Sequence, residues 1–359
     1  MLKKIDRYIL WKFLATFFYS IALIVVVVII FDISEKIDDF LESKAPLNAI
    51  VFDYYLNFIP FFVNLFSPLF TFIAVIFFTS KMASNTEIVA ILSSGMSFRR
   101  MLVPYFLGAM VITLLSLYLN NFVIPNSNKY RLAFEETYIR STFRNHDRNI
   151  HRQIAPNTYI YFDRFDNIRS TGYKFSLEKY DNKKLKYKLM AETIKWDTIA
   201  KVWHIEHYII RTIDGMEEDI QKGMALDTTL NIDAKDFGRR INTVETMNYF
   251  ELNEFIEKEK VKGSEKIAFY EIEKHKRFAF PFATFILTLV GVSLASKKVR
   301  GGIGLHIGLG LLISFSYILF MQVSITFATN ANLSPFLAMW IPNILFGFLA
   351  YSLFKIAPK

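Results

Sequence analysis

Three apolar segments lie before residue 130 and three more follow residue 277, with a long polar stretch between them. Few folds accommodate that arrangement. A helix that crosses a bilayer needs about 20 mostly apolar residues to span about 30 Å of hydrocarbon. Phe13–Phe31, Tyr54–Ser80, Met101–Ile124 and Phe278–Ser296 each meet that need with no charged side chain. From Gly301 to Phe354 there is no Asp, Glu, Lys or Arg, a run too long for one crossing. It breaks at Ala328-Thr-Asn-Ala-Asn-Leu-Ser-Pro335, whose turn residues predict two helices, about 303–327 and 335–354. The expectation is an α-helical membrane protein with six transmembrane helices, three plus three, and a folded insert outside the bilayer. Lys3, Lys4 and Arg7 ahead of the first segment resemble a signal peptide, but the apolar run is long and no small-residue cleavage site follows. A permanent first helix is expected.

Basic residues in short loops set orientation. Lys3, Lys4, Arg7, Lys12, Lys81, Arg99, Arg100, Lys297, Lys298, Arg300, Lys355 and Lys359 fall on one side, against only Asp6 and Glu87. The opposite short loop, 32–53, carries Lys36 and Lys44 against Asp32, Glu35, Asp38, Asp39, Glu42 and Asp53. Both termini are expected in the cytoplasm and the insert in the periplasm. Mean hydropathy of +0.28 fits this plan, and the formal charge of +9 belongs to the cytoplasmic membrane face rather than to a nucleic-acid site. With no cysteine, disulfides, thiolate metal sites and cysteine nucleophiles are excluded.

The insert reads as β. Tyr173, Phe175 and Leu177 alternate with Lys174, Ser176 and Glu178; Leu185, Tyr187, Leu189 and Ala191 alternate with Lys186, Lys188 and Met190; and Asp181-Asn-Lys-Lys between them suits a hairpin. Tyr159–Phe162 and Val202–Ile210 are further strands, and the stretch after about 211 is weakly marked. A sandwich, jelly roll or open barrel is implied. Asn248–Lys262 predicts an amphipathic helix with Leu252, Phe255 and Ile256 on one side, and Glu265–Arg277 a helix feeding the fourth crossing. His204-Ile-Glu-His207 is too sparse for zinc, since on a strand His207 points away from His204 and Glu206. No G-x-x-x-x-G-K-[ST] loop occurs, so ATP hydrolysis by that route is not expected here.

Between the second and third crossings, Ser84-Asn-Thr-Glu87 matches a capping box, Ile88–Leu92 follows, and Gly95 stops the helix. This segment, about 84–95, is too apolar for an open loop. Ile88, Ile91 and Leu92 need a cover, either the membrane surface or a partner. Asn57, Asn64, Asn120, Asn121 and Gln322 are expected to bond between membrane helices, and His306 to lie at the interface.

Arg7-Tyr-Ile9, Pro60 and Pro68, and Thr86-Glu-Ile-Val-Ala-Ile-Leu-Ser-Ser-Gly-Met-Ser97 together resemble the LptF/LptG permeases. So do Ala191–Trp203, with Trp196 and Trp203 flanking a turn, His275-Lys-Arg-Phe-Ala-Phe-Pro281, Gly291-Val-Ser-Leu-Ala and Arg300-Gly-Gly-Ile-Gly304. The opening Ile5-Asp-Arg-Tyr-Ile-Leu looks more like the LptG side. The resemblance spans the chain and implies the domain plan: helices 1–3 with the coupling segment over 1–128, a periplasmic all-β jellyroll-like domain over 129–265, and helices 4–6 over 266–359.

It further implies a non-enzymatic subunit of an ABC-type lipopolysaccharide exporter in the inner membrane. Expected partners are a second permease of the family, an LptB-type ATPase dimer, an LptC-type jellyroll protein and lipopolysaccharide, with ATP used by the partner and no cofactor or metal here. Ser84, Glu87, Ile88, Ile91, Leu92 and Gly95 would couple to the ATPase. Lys36, Lys129, Arg131, Lys274, Lys276 and Arg277, at the outward helix ends, would form a cationic rim for lipid phosphates. The acidic cluster Asp32-Ile-Ser-Glu-Lys-Ile-Asp-Asp39 departs from the enterobacterial pattern. Another envelope ABC permease usually has four helices. A motor-free scaffold predicts no partner for 84–95. No paired acids, nucleophile with its base or metal ligands occur in the helices to support an intramembrane enzyme.

Overall fold

The computed structural model describes residues 3–140, 144–238, 240–297, 302–331 and 333–357. Lys298, Arg300 and Lys359 of the basic tally lie outside them. Contacts divide the chain into two units: residues 1–139, 244–250 and 268–359 form the first, and 140–243 with 251–267 the second.

Among the described residues, six helices of the first unit are long and apolar enough to cross a membrane. They are α1 (Lys4–Glu42), α2 (Leu47–Ser84), α4 (Phe98–Tyr138), α6 (Ile267–Ala295), α7 (Gly302–Asn330) and α8 (Pro335–Ile356). A short α3 (Glu87–Ser93) joins α2 to α4. Several helices outrun their apolar cores. α1 has 39 residues, about 58 Å at 1.5 Å per residue, and continues through the acidic stretch expected as loop. α1 turns Ile9, Phe13, Phe17 and Ile21, spaced four apart, into a core shared with α2 and α4. No residue between Ile21 and Phe40 is buried within this chain. α6 is the axis of the other half, packing Ala279, Ala283, Leu287 and Val290 against α7 and α8. Gly291 lets α6 approach α2, because a Cβ there would lie 2.9 Å from Val75 and 3.0 Å from Phe72.

The second unit holds an antiparallel sheet whose six strands pair in chain order. They are β1 (Arg148–Ala155), β2 (Thr158–Asp166), β3 (Thr171–Asp181), β4 (Lys184–Asp197), β5 (Val202–Asp214) and β6 (Glu217–Thr228). As expected, Asn182 and Lys183 make the β3–β4 turn, both at positive φ (47° and 65°), the geometry that suits a two-residue hairpin. Trp196 and Trp203 face each other across the next hairpin.

A crease crosses all six strands. Asn149, Lys174 and His207, on β1, β3 and β5, take φ of 54°, 51° and 50°. Their neighbours Asp163, Glu192 and Met224 fall at the same interruption of the pairing ladder. Strict alternation therefore fails there: Phe162 and Phe165, three apart, are both buried, as are Ala191 and Ile194. Tyr173 is the casualty of the period-two reading, because it turns to the outer face while Phe175 and Leu177 stay inside. Ile232, Ala234 and Phe237 close the inner face over Trp203, whose indole N–H donates to the Ile232 carbonyl at 3.3 Å. At this end the aromatic face is a packed core. The expected amphipathic helix is α5 (Tyr249–Val261), which buries Leu252 and Ile256.

Candidate functional site

The segment 84–95 is tied to α1. Ser84 still belongs to α2, so the Ser84–Glu87 capping box does not form; instead Thr86 turns the chain at φ 63° and α3 starts at Glu87. The Glu87 carboxylate accepts from the Tyr8 hydroxyl at 2.9 Å and from Asn85 Nδ2 at 3.2 Å, with Lys12 Nζ 4.0 Å away. Ile88 and Ile91 are buried among Ile9, Phe13, Met82, Phe98 and Met101, and Leu92 packs against the same cluster. The cover that these three residues require is thus the chain's own. Val89, Ala90 and Ser93 form the exposed side. Gly95 ends the helix as expected, at φ 85°, with its amide on the Leu92 carbonyl at 3.1 Å.

Asp6, 1% exposed, completes the clasp. Its two oxygens accept both guanidinium arms of Arg100 at 2.9 and 2.6 Å, and Oδ2 also takes the Lys3 amide at 2.8 Å. Asp6, Tyr8 and Arg100 were not expected as site residues. Asp6 and Glu87 are the two acids among the basic residues of these short loops, and that rarity is the signal that could have found them.

At the opposite ends of the helices, three of the six candidate cations are brought together. Arg131 Nε donates to Asn128 Oδ1 at 3.1 Å, its NH groups lie 3.4 Å from Glu135 and 3.7 Å from Glu245, and its guanidinium carbon lies 4.5 Å from the centre of the Phe61 ring. Arg277, 3% exposed, donates to Glu273 at 3.0 Å and to the carbonyls of Met247 (2.7 Å) and Val244 (3.1 Å). Lys276 lines a cavity of about 90 Å³ with Arg277, Glu245, Glu273, Asn64 and Asn120. Burial pushes the Glu245 carboxyl above the ordinary glutamate range; Glu273 and Glu135 add to that, while Lys276 and Arg131 oppose it. Lys36 sits apart, held by Asp32 and Tyr54, and Asp32 also accepts from Tyr55 at 3.0 Å. Lys274 is half-buried and forms no ion pair among the described residues; Lys129 is exposed.

The cavity wall is a polar chain between helices. Ser116 donates to Asn64 at 2.6 Å and Asn64 to Asn120 at 2.7 Å. Pro281 has no N–H, so it leaves the Arg277 carbonyl without a helical partner. Asn120 Nδ2 approaches that carbonyl at 3.5 Å. The unexpected Asn343 donates to the Ala279 carbonyl at 2.7 Å and accepts from Tyr317 at 3.0 Å. Asn57 and Asn121, expected to bridge helices, bond carbonyls of their own helix instead. His306 is buried within the chain, 2.8 Å from the Ser80 hydroxyl.

No curated protein matches the chain. The family model described as lipopolysaccharide export system permease LptF/LptG matches residues 7–356. With nearly the whole sequence covered, and with six membrane-length helices around an inserted antiparallel sheet, the chain belongs to the LptF/LptG family of lipopolysaccharide export permeases.

Proposed function

We propose that this permease is one half of a pore, paired with a second member of the family, that extracts lipopolysaccharide from the outer leaflet of the inner membrane and passes it to a periplasmic β-jellyroll bridge. An LptB-type ATPase dimer drives it from the cytoplasmic side, where both termini lie, and an LptC-type protein continues the β path. The start of this chain favours the LptG side of the pair. The task demands a motor, because withdrawing each buried CH₂ from a bilayer costs about 0.8 kcal/mol and the lipid carries several acyl chains.

The observation that carries the reading is α3. Its apolar face is locked to α1, α2 and α4, while Val89, Ala90 and Ser93 are left outward. A push on that face reaches α1 through Tyr8–Glu87, and a displacement of α4 reaches α1 through Arg100–Asp6. Among the rim cations, Arg131, Arg277 and Lys36 hold the frame, and Lys274 and Lys276 meet phosphate. A photocrosslinker at Val89 or Ser93 in the assembled complex should capture a co-purifying ATPase; capture of no ATPase from either position would sink the coupling role. Depletion in cells should leave lipopolysaccharide in the inner membrane, and normal delivery after depletion would refute export.

A further inference from the structure

The β domain holds a second cluster of cations, distinct from the rim. Arg148 and Arg164 are direct cross-strand partners on β1 and β2. Like charges placed opposite each other across a sheet are destabilising. The crease puts both on the outer face, since Ile150, Phe162 and Phe165 beside them are buried. Next in the row is Tyr173, the β3 partner of Arg164, with the Arg164 guanidinium 4.4 Å from its ring. That contact holds the Arg164 guanidinium against the outer face of the sheet.

Arg144 and Arg169 line the same pocket, of about 520 Å³, together with His146. Two carboxylates are present, but both are engaged. Asp147 lies 2.5 Å from Lys266 Nζ, and Asp166 Oδ1 accepts the turn amides of Ile168 (3.0 Å) and Arg169 (3.2 Å). Among the described residues, none of the four guanidiniums has a carboxylate within 4 Å.

We infer that this pocket is an oxyanion site that binds a phosphate group on the saccharide part of the exported lipid. Planar guanidiniums present paired N–H donors that match phosphate oxygens. A doubly charged phosphate also relieves the Arg148–Arg164 repulsion, which no carboxylate within 4 Å offsets among the described residues. The identity of the lipid rests on the function proposed above; the existence of an oxyanion site does not.

The test uses the full-length protein in detergent, with inorganic pyrophosphate as probe, followed by calorimetry and thermal unfolding. Pyrophosphate should bind and raise the unfolding midpoint. Arg148→Gln with Arg164→Gln should weaken binding by about tenfold or more, the scale of losing a charged hydrogen bond. Arg211→Gln, an exposed arginine paired with Glu218 elsewhere on the sheet, should bind as the parent does. If the double variant does not fold, Arg169→Gln on the β2–β3 turn must show the loss alone. No binding by the parent, or equal binding by the pocket variants, overturns the site. A bisphosphorylated glucosamine disaccharide should displace pyrophosphate at lower concentration than glycerophosphate does; the reverse order overturns the lipid assignment and gives the pocket to phospholipid headgroups. Failure of binding leaves the transport reading standing, since crosslinking and depletion test that separately.

Discussion

Burial works against the charge on Glu245, and two neighbouring acids work against it too. A carboxyl raised in the folded state contributes its full stability when it is protonated in both states. That contribution is lost as pH climbs through the folded value. Glu245→Gln imitates the protonated form. It should raise the thermal midpoint at pH 7.5, and the gain should disappear below about pH 4.3, the unfolded glutamate range. A gain of equal size at both pH values would contradict this. Arg277 and Lys276 are adjacent in sequence yet differ in role. Arg277→Ala leaves Glu273 and two carbonyls without their donor, and breaking such a buried pair costs about 3–5 kcal/mol. Lys276→Ala removes a charge that favours the Glu245 carboxylate; it should lower the unfolding midpoint by less than Arg277→Ala does, and lower export in cells. The sequence could not separate the two, because both are basic residues at one helix end, and the Arg277 carbonyl acceptors come from a turn some thirty residues earlier.

At the scale of elements, the membrane helices were legible because hydrocarbon imposes length and apolarity on any crossing. Their true ends were not, since α1 and α4 continue as helix where charge replaces apolar residues. α3 was legible as a helix with a glycine stop, but its cover depends on Ile9 and Phe13, which no local pattern brings near. The sheet was half legible: alternation identified strands, while the crease evaded it because Asn149, Lys174 and His207 are not glycines. A left-handed backbone costs a residue with a Cβ about 1–2 kcal/mol. Lys174→Gly should therefore be neutral or stabilise by about 1 kcal/mol in thermal unfolding, although glycine normally weakens a strand. Loss of more than that would show that the Lys174 side chain, not its backbone, maintains the bend.

For the whole molecule, the two halves of the helical unit meet where α6 approaches α2 at Gly291. Gly291→Leu must push Val75 and Phe72 aside, and overpacking of this kind costs about 1–3 kcal/mol. It should lower the midpoint of the full chain, and an unchanged midpoint would show that α6 and α2 can part at no cost. α1 presents the contrary case. It is fastened near its start by Asp6, Ile9, Phe13, Phe17 and Ile21 and again at Phe40, with nothing buried between. Between those fastenings α1 has only half-buried contacts: Val25 packs against the cluster of Ile9 and Phe13, and Ile29 against that of Phe40 and Tyr54. The exposed positions between them are free so long as they stay apolar: Leu23, Val26 and Ile30 could be exchanged for other apolar residues with no internal neighbour displaced from a buried position. A helix tethered like a bowstring can yield sideways at its centre while both knots hold.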